Sequence, residues 1–174
     1  MKRTVLFVAV PMLAMSAAAF AQTATVTINM IDISGVGAAA GTLVLEDTPQ
    51  GLKITPKLAG MPPGPHGFHV HANASCAPGE QNGQRVAGLG AGGHLDPAAT
   101  GKHLGPAGDG HKGDMPVLAV NPDGTASGPI FAPHLKVADV QGHAIVIHAG
   151  GDNYSDQPAP LGGGGARIAC GLVK

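Results

Sequence analysis

The chain has 174 residues, with 10 Lys and Arg against 11 Asp and Glu and a formal net charge of −1 at pH 7. That length suits one domain, and that charge is not the balance of a nucleic-acid-binding protein. With 28 Gly, 15 Pro, no Trp and one Tyr, the chain is rich in turns and poor in long helices.

The first segment reads as a leader. Lys2 and Arg3 form a positive region, Val5 to Ala19 is almost wholly apolar, and Ala19-Phe20-Ala21 gives a small-x-small cleavage site. This is the pattern of a secretory signal peptide over residues 1–21. A transmembrane anchor is the rival, but the run is short for one and Gln22 onward turns polar. No Cys follows the run, so nothing points to a lipid anchor. Residues 22–174 then form one domain of 153 residues with a net charge of −3.

Thr23 to Met30 alternates polar and apolar, which predicts a half-buried strand. Gly35 and Gly37 interrupt it. Further strands are predicted over Gly41 to Glu46, Gly51 to Leu58 and Gly67 to Ala72, with Pro62 to Pro65 as a connection. From Asn73 to Met115 the periodicity disappears. A structureless stretch of that length in a compact domain must be functional, disordered or tied down. It holds a cysteine, three histidines and several aspartates, so it reads as tied down by a disulfide and a metal. Strands resume at Pro116 to Val120, Thr125 to Phe131 and His143 to His148. A second Gly/Pro-rich loop spans Ala149 to Gly165, and Ala166 to Val173 is the last strand. Eight short strands predict an all-β sandwich or flattened barrel with two long functional loops.

Cys76 and Cys170 are the two cysteines. In an exported chain an even count favours a disulfide, with two buried thiols as the alternative. Closing the 93 intervening residues would stabilise the fold by about 4–5 kcal/mol.

The nine histidines carry the chemistry. His69-Val70-His71 lies on a predicted strand, so both imidazoles share a face. Taken alone, that is weak evidence for a metal. The long loop adds His94, His103, His111 and Asp114, three imidazoles and a carboxylate that suit four-coordinate zinc. A solvated histidine-rich loop is the alternative. His148 ends an apolar strand and reads equally as a ligand or a satisfied core histidine.

Together these segments acquire a specific likeness. Gly67-Phe68-His69-Val70-His71 with Ser75-Cys76 resembles the copper-binding segment of the copper–zinc superoxide dismutases. Gly92-Gly93-His94-Leu95-Asp96-Pro97 through Lys102-His103 to His111-Lys112-Gly113-Asp114 resembles their zinc loop. Gly162 to Gly171, with Arg167 and Cys170, resembles their C-terminal signature. Gly150 to Pro158 is similar in style to the bacterial exported branch.

The resemblance implies an eight-stranded Greek-key β-sandwich that disproportionates superoxide with one copper and one zinc per chain. Copper would take His69, His71, His94 and His148. Zinc would take His94, His103, His111 and Asp114, with His94 as the bridge and as a proton carrier. Asp152 would link a copper-ligand histidine to a zinc-ligand histidine, Cys76 would pair with Cys170, and Arg167 would attract the anion. His66 would be structural, and His134 and His143 match no ligand position. Ala74 departs from the Gly common before Ser-Cys. Charged steering residues are not evident in the last long loop, so Lys102 and Lys112 are expected to contribute positive potential instead. A periplasmic location follows, and either a monomer or a homodimer is compatible with it. A domain that only stores or delivers copper, or a zinc-only structural sandwich, would be expected to lack some of these groups. All six histidines, Asp114 and Arg167 are present.

Overall fold

The structure is a computed structural model that describes residues 22–174; the expected signal peptide over residues 1–21 lies outside the described residues. Eleven strands follow in order: β1 (Thr23–Asp32), β2 (Gly35–Thr48), β3 (Gly51–Leu58), β4 (Gly64–His66), β5 (Phe68–His71), β6 (Gly79–Gln81), β7 (Gln84–Val86), β8 (Leu118–Val120), β9 (Ile130–Ala132), β10 (Ala144–His148) and β11 (Arg167–Leu172). Among the described residues one short α-helix, α1, spans Val137–Val140. No helix among the described residues is long and apolar enough to cross a membrane.

Seven strands form one antiparallel sheet in the order β5-β10-β11-β1-β2-β3-β9. A β4-β8 ribbon and a β6-β7 hairpin complete the fold. Alternation explains the inward faces: Val26 and Ile28 of β1, Leu43 and Leu45 of β2, and Leu52 and Ile54 of β3 are all buried in the main core. Thr25 and Thr27 point the other way, and both lie along an open groove.

β10 is buried on both faces. Ile145 and Ile147 join the main core. Ala144 and Val146 join a second cluster with Ile31, Ala91, Cys76 and Cys170. Two-sided burial is why this strand reads as a nearly continuous apolar run.

The main differences from the predicted elements have local causes. The glycines after Met30 do not end pairing: β2 begins at Gly35, and register shifts flanking Asn29 absorb the irregularity. Of Thr125 to Phe131, only the end pairs with β3, within β9, while Ala126 bridges Leu58. Gly64–His66, read as part of a connection and the residues following it, pairs with β8. The long loop contains the β6-β7 hairpin, turned at Asn82-Gly83.

Cys76 and Cys170 form a disulfide. It ties the long loop to β11, the strand next to β10. Replacing both cysteines with alanine should lower the unfolding free energy of the metal-free protein by about 4 kcal/mol. Denaturant titration checks this, and a loss below about 1 kcal/mol would show that other contacts already confine the loop.

Candidate metal centre

β5 and β10 pair so that Val146 lies opposite His69 and Ala144 opposite His71. Phe68 and Val70 face the main core, which leaves His69 and His71 together on the other face. His148, two residues beyond Val146, shares that face.

The long loop reaches this face along the free edge of β5. Val70 N–H donates to the Gly113 carbonyl at 2.9 Å, and Leu95 N–H to the Val70 carbonyl at 2.8 Å. Ala72 N–H donates to the Gly93 carbonyl at 2.9 Å. These bonds place His94 opposite His71 and Asp114 opposite His69. Gly113 permits the approach: a Cβ there would collide with the Val70 carbonyl oxygen.

Backbone and carboxylate acceptors fix the imidazole tautomers. His71 Nδ1 donates to the Gly92 carbonyl at 2.9 Å, and His148 Nδ1 to the Gly165 carbonyl at 3.2 Å. His69 Nε2 donates to Asp152 Oδ2 and His103 Nε2 to Asp152 Oδ1, each at 2.8 Å. One ring nitrogen of each of these histidines is left outside those hydrogen bonds. His71 Nε2 and His148 Nε2 face one another at 3.3 Å. His69 Nδ1, His94 Nε2, His103 Nδ1, His111 Nδ1 and Asp114 Oδ2 are buried without hydrogen-bond partners. His103 Nδ1 lies 2.9 Å from Asp114 Oδ2, yet the two are not aligned as a hydrogen bond. Buried donor atoms that converge without bonding one another are what a bound cation satisfies.

Two sets of four bring one donor atom from each residue within 4.8 Å of the others: His69, His71, His94 and His148, and His69, His94, His103 and Asp114. His69 has only one free nitrogen because Asp152 holds the other, so it can serve one set. His111 is absent from the second set, but its Nδ1 lies 3.4 Å from Asp114 Oδ1. His94 differs from the rest. Its Nδ1 is 2.9 Å from Asp114 Oδ1, and its Nε2 is free on the other side of the ring.

Burial and neighbouring charge divide the site electrostatically. Burial, with His94 beside it, lowers His71 to about 2. Burial lowers His148 to about 3, helped by His69. Burial also lowers His94 to about 4, outweighing the Asp114 hydrogen bond. All three are neutral at pH 7 and offer lone pairs. His103 is the opposite case: burial works against its charge, but Asp114 and Asp152 outweigh burial and raise it to about 9. Burial would raise both carboxyls, yet the His103 imidazole against it and the hydrogen bond from His94 hold Asp114 well below the usual carboxylate range. His103 and His69 do the same for Asp152.

Arg167 donates from its two terminal nitrogens to the carbonyls of Gly88 and Gly92, each at 2.6 Å. The Gly92 oxygen also accepts from His71, so guanidinium and imidazole share one acceptor. A register shift after Ile147 sets His148 opposite Arg167. Lys112 is paired with Asp139 at 2.6 Å, which offsets its charge, while Lys102 is exposed. His66 contacts the His148 and Pro62 carbonyls, each at 2.7 Å. His143 contacts the Ala72 carbonyl and His134 lies on the surface.

Four contributors were not singled out from the sequence. Gly92 and Gly88 act through carbonyls, which leave no signature in residue identity. Gly113 acts through the absence of a side chain. Asp156 accepts the His103 backbone N–H at 2.9 Å; its place in the second long loop beside Asp152 was the available signal.

An antiparallel β protein with two adjacent donor sets that overlap at His69 and His94 defines a class: a metalloprotein built for two neighbouring ions. Residues 39–173 match the family Copper/zinc superoxide dismutase (SODC). The chain is 56% identical over 166 residues to superoxide dismutase [Cu-Zn] 2 of Salmonella typhimurium, covering 94% of this chain and 96% of that protein. It superposes on the Cu/Zn superoxide dismutase from Brucella abortus with a TM-score of 0.86 at 50% identity, covering 88% of this chain and all of that one. The monomeric copper, zinc superoxide dismutase from Salmonella enterica gives 0.80 at 56% identity, with the same coverage. The chain belongs to the copper/zinc superoxide dismutase family. Membership makes it an oxidoreductase acting on superoxide, with copper and zinc as the family's cofactors.

A prediction follows from His103. Its raised value leaves it protonated at pH 7, and Nδ1 can hold a metal only after that proton leaves. Zinc added alone to the metal-free protein at pH 7 should therefore release about one proton, and zinc affinity should rise about tenfold per pH unit until about pH 9. Calorimetry in buffers of different ionisation enthalpy measures this. Uptake without proton release would contradict it.

Proposed function

We propose that residues 22–174 form an exported enzyme that disproportionates superoxide to O₂ and H₂O₂, with copper held by His69, His71, His94 and His148 and zinc by His94, His103, His111 and Asp114. The observation that carries this reading is the set of buried donor atoms with no partner, split to either side of the His94 ring. When bound, copper supplies the one-electron exchange that the reaction needs, and zinc supplies fixed charge without redox chemistry.

The remaining work belongs to side chains. Arg167 provides a permanent positive charge, and its anchoring carbonyls hold the guanidinium beside His71. A cation in that place attracts a small anion and raises its encounter rate. His94 takes up a proton at Nε2 and gives it to the departing peroxide. Its Nδ1 side, fixed beside Asp114, keeps the ring in place meanwhile. Asp152 orients His69 and His103 from one carboxylate, so the two ligand sets share a rigid connection. Asp156 and Tyr154 seat the same loop: Asp156 accepts the His103 N–H, and the Tyr154 hydroxyl accepts from Val117 N–H at 3.1 Å.

Export through a cleaved leader over residues 1–21 into the periplasm agrees with the Cys76–Cys170 disulfide, which needs an oxidising compartment, and with relatives from bacteria such as Salmonella and Brucella.

Superoxide consumption by residues 22–174 loaded with both metals should be copper-dependent. It should fall roughly tenfold or more in Arg167→Ala, with a flatter dependence on ionic strength. One bound copper per chain without turnover would reject the reading and leave copper storage or delivery. Asp152→Ala should weaken zinc binding by about 10–100-fold in competition with a chelator. Unchanged zinc affinity would remove the connecting role from Asp152.

A further inference from the structure

A cavity of about 340 Å³ opens on the zinc side of the centre. His111 and Asp114 line it; His69, His71, His94, His148 and Arg167 do not. Asp114 lies at its buried end with an unpartnered Oδ2, and the His111 side chain is 10% exposed with an unpartnered Nδ1. The side chains of the other zinc-set residues, His94, His103 and Asp114, are at most 1% exposed. Asp109, His134 and Ala98 are exposed and line the same cavity, so they form its mouth. Lys112 also lines it, but its charge is offset by Asp139. The space corresponds to on the order of ten waters, enough for a divalent ion with its hydration shell.

From this we propose that the cavity is a passage for zinc, separate from the face on which Arg167 stands. Zinc enters past Asp109 and His134, which offer a carboxylate and an imidazole as transient donors. It meets His111 and Asp114 before the deeper ligands. On departure His111, the most exposed member, lets go first. The metal therefore loads and leaves without crossing the copper set. This inference rests on the zinc ligand set proposed above.

The test uses residues 22–174 and follows zinc itself. With both metals loaded, transfer of zinc to a chromogenic chelator should slow roughly tenfold in Ala98→Trp and in His134→Trp, which narrow the mouth without touching a ligand. Copper uptake by the metal-free variants, and superoxide turnover by the loaded ones, should match the parent. Zinc uptake by metal-free Asp109→Asn/His134→Asn should be slower than in the parent, while the final zinc content stays the same. Zinc transfer at the parent rate in both tryptophan variants overturns the passage. Equal slowing of zinc and copper does so as well, because the plug would then act on the whole protein. His111→Ala separates the two readings: if it keeps parent zinc affinity, the ligand set is wrong; if it loses zinc while the plugged variants exchange normally, only the passage falls.

Discussion

The centre depends on one geometric constraint, the period of two along β5 and β10. Both strands are buried on both faces, so each side chain is assigned by parity either to the apolar core or to the metal side. Phe68, Val70, Ile145 and Ile147 serve the core. His69, His71, Val146 and His148 serve the other face. The metal side is therefore as rigid as the core, because the same backbone carries both. A one-residue slip would exchange the two sets completely.

The long loops have no core of their own and borrow rigidity from polar contacts. The first is bonded to the β5 edge through Gly93, Leu95 and Gly113 and tied to β11 by the disulfide. The second is held by Asp152 and Asp156 against His69 and His103. This arrangement leaves several buried nitrogens facing each other, which is costly unless an ion satisfies them. The apolar core fixes the sheet, and the ions would complete what the loops leave open.

Much of this was legible in residue order. Alternation located β1, the apolar run located β10, and His69-Val70-His71 fixed the parity of β5. The loss of pattern after Asn73 marked the functional loop. What could not be read was set by backbone geometry. β2 extends through glycines that looked like an interruption, because bulges absorb the mismatch. The carbonyls of Gly88 and Gly92, which seat Arg167, have no counterpart in side-chain chemistry. The closeness of the loop to β5 depends on Gly113, whose contribution is the atom it lacks.

The register shift between Ile147 and His148 has an evolutionary reach. By simple alternation Arg167 would share a face with Ala169, which lies in the core; the one-residue offset in β11 carries it to the histidine side instead. The guanidinium thus owes its place to a single extra residue rather than to the histidines beside it. A deletion that straightened β11 would leave every imidazole, Asp114 and the disulfide untouched while turning the cation inward. Descendants of such a chain could go on holding both metals after losing the anion's landing point, so the two halves of the site are separately heritable.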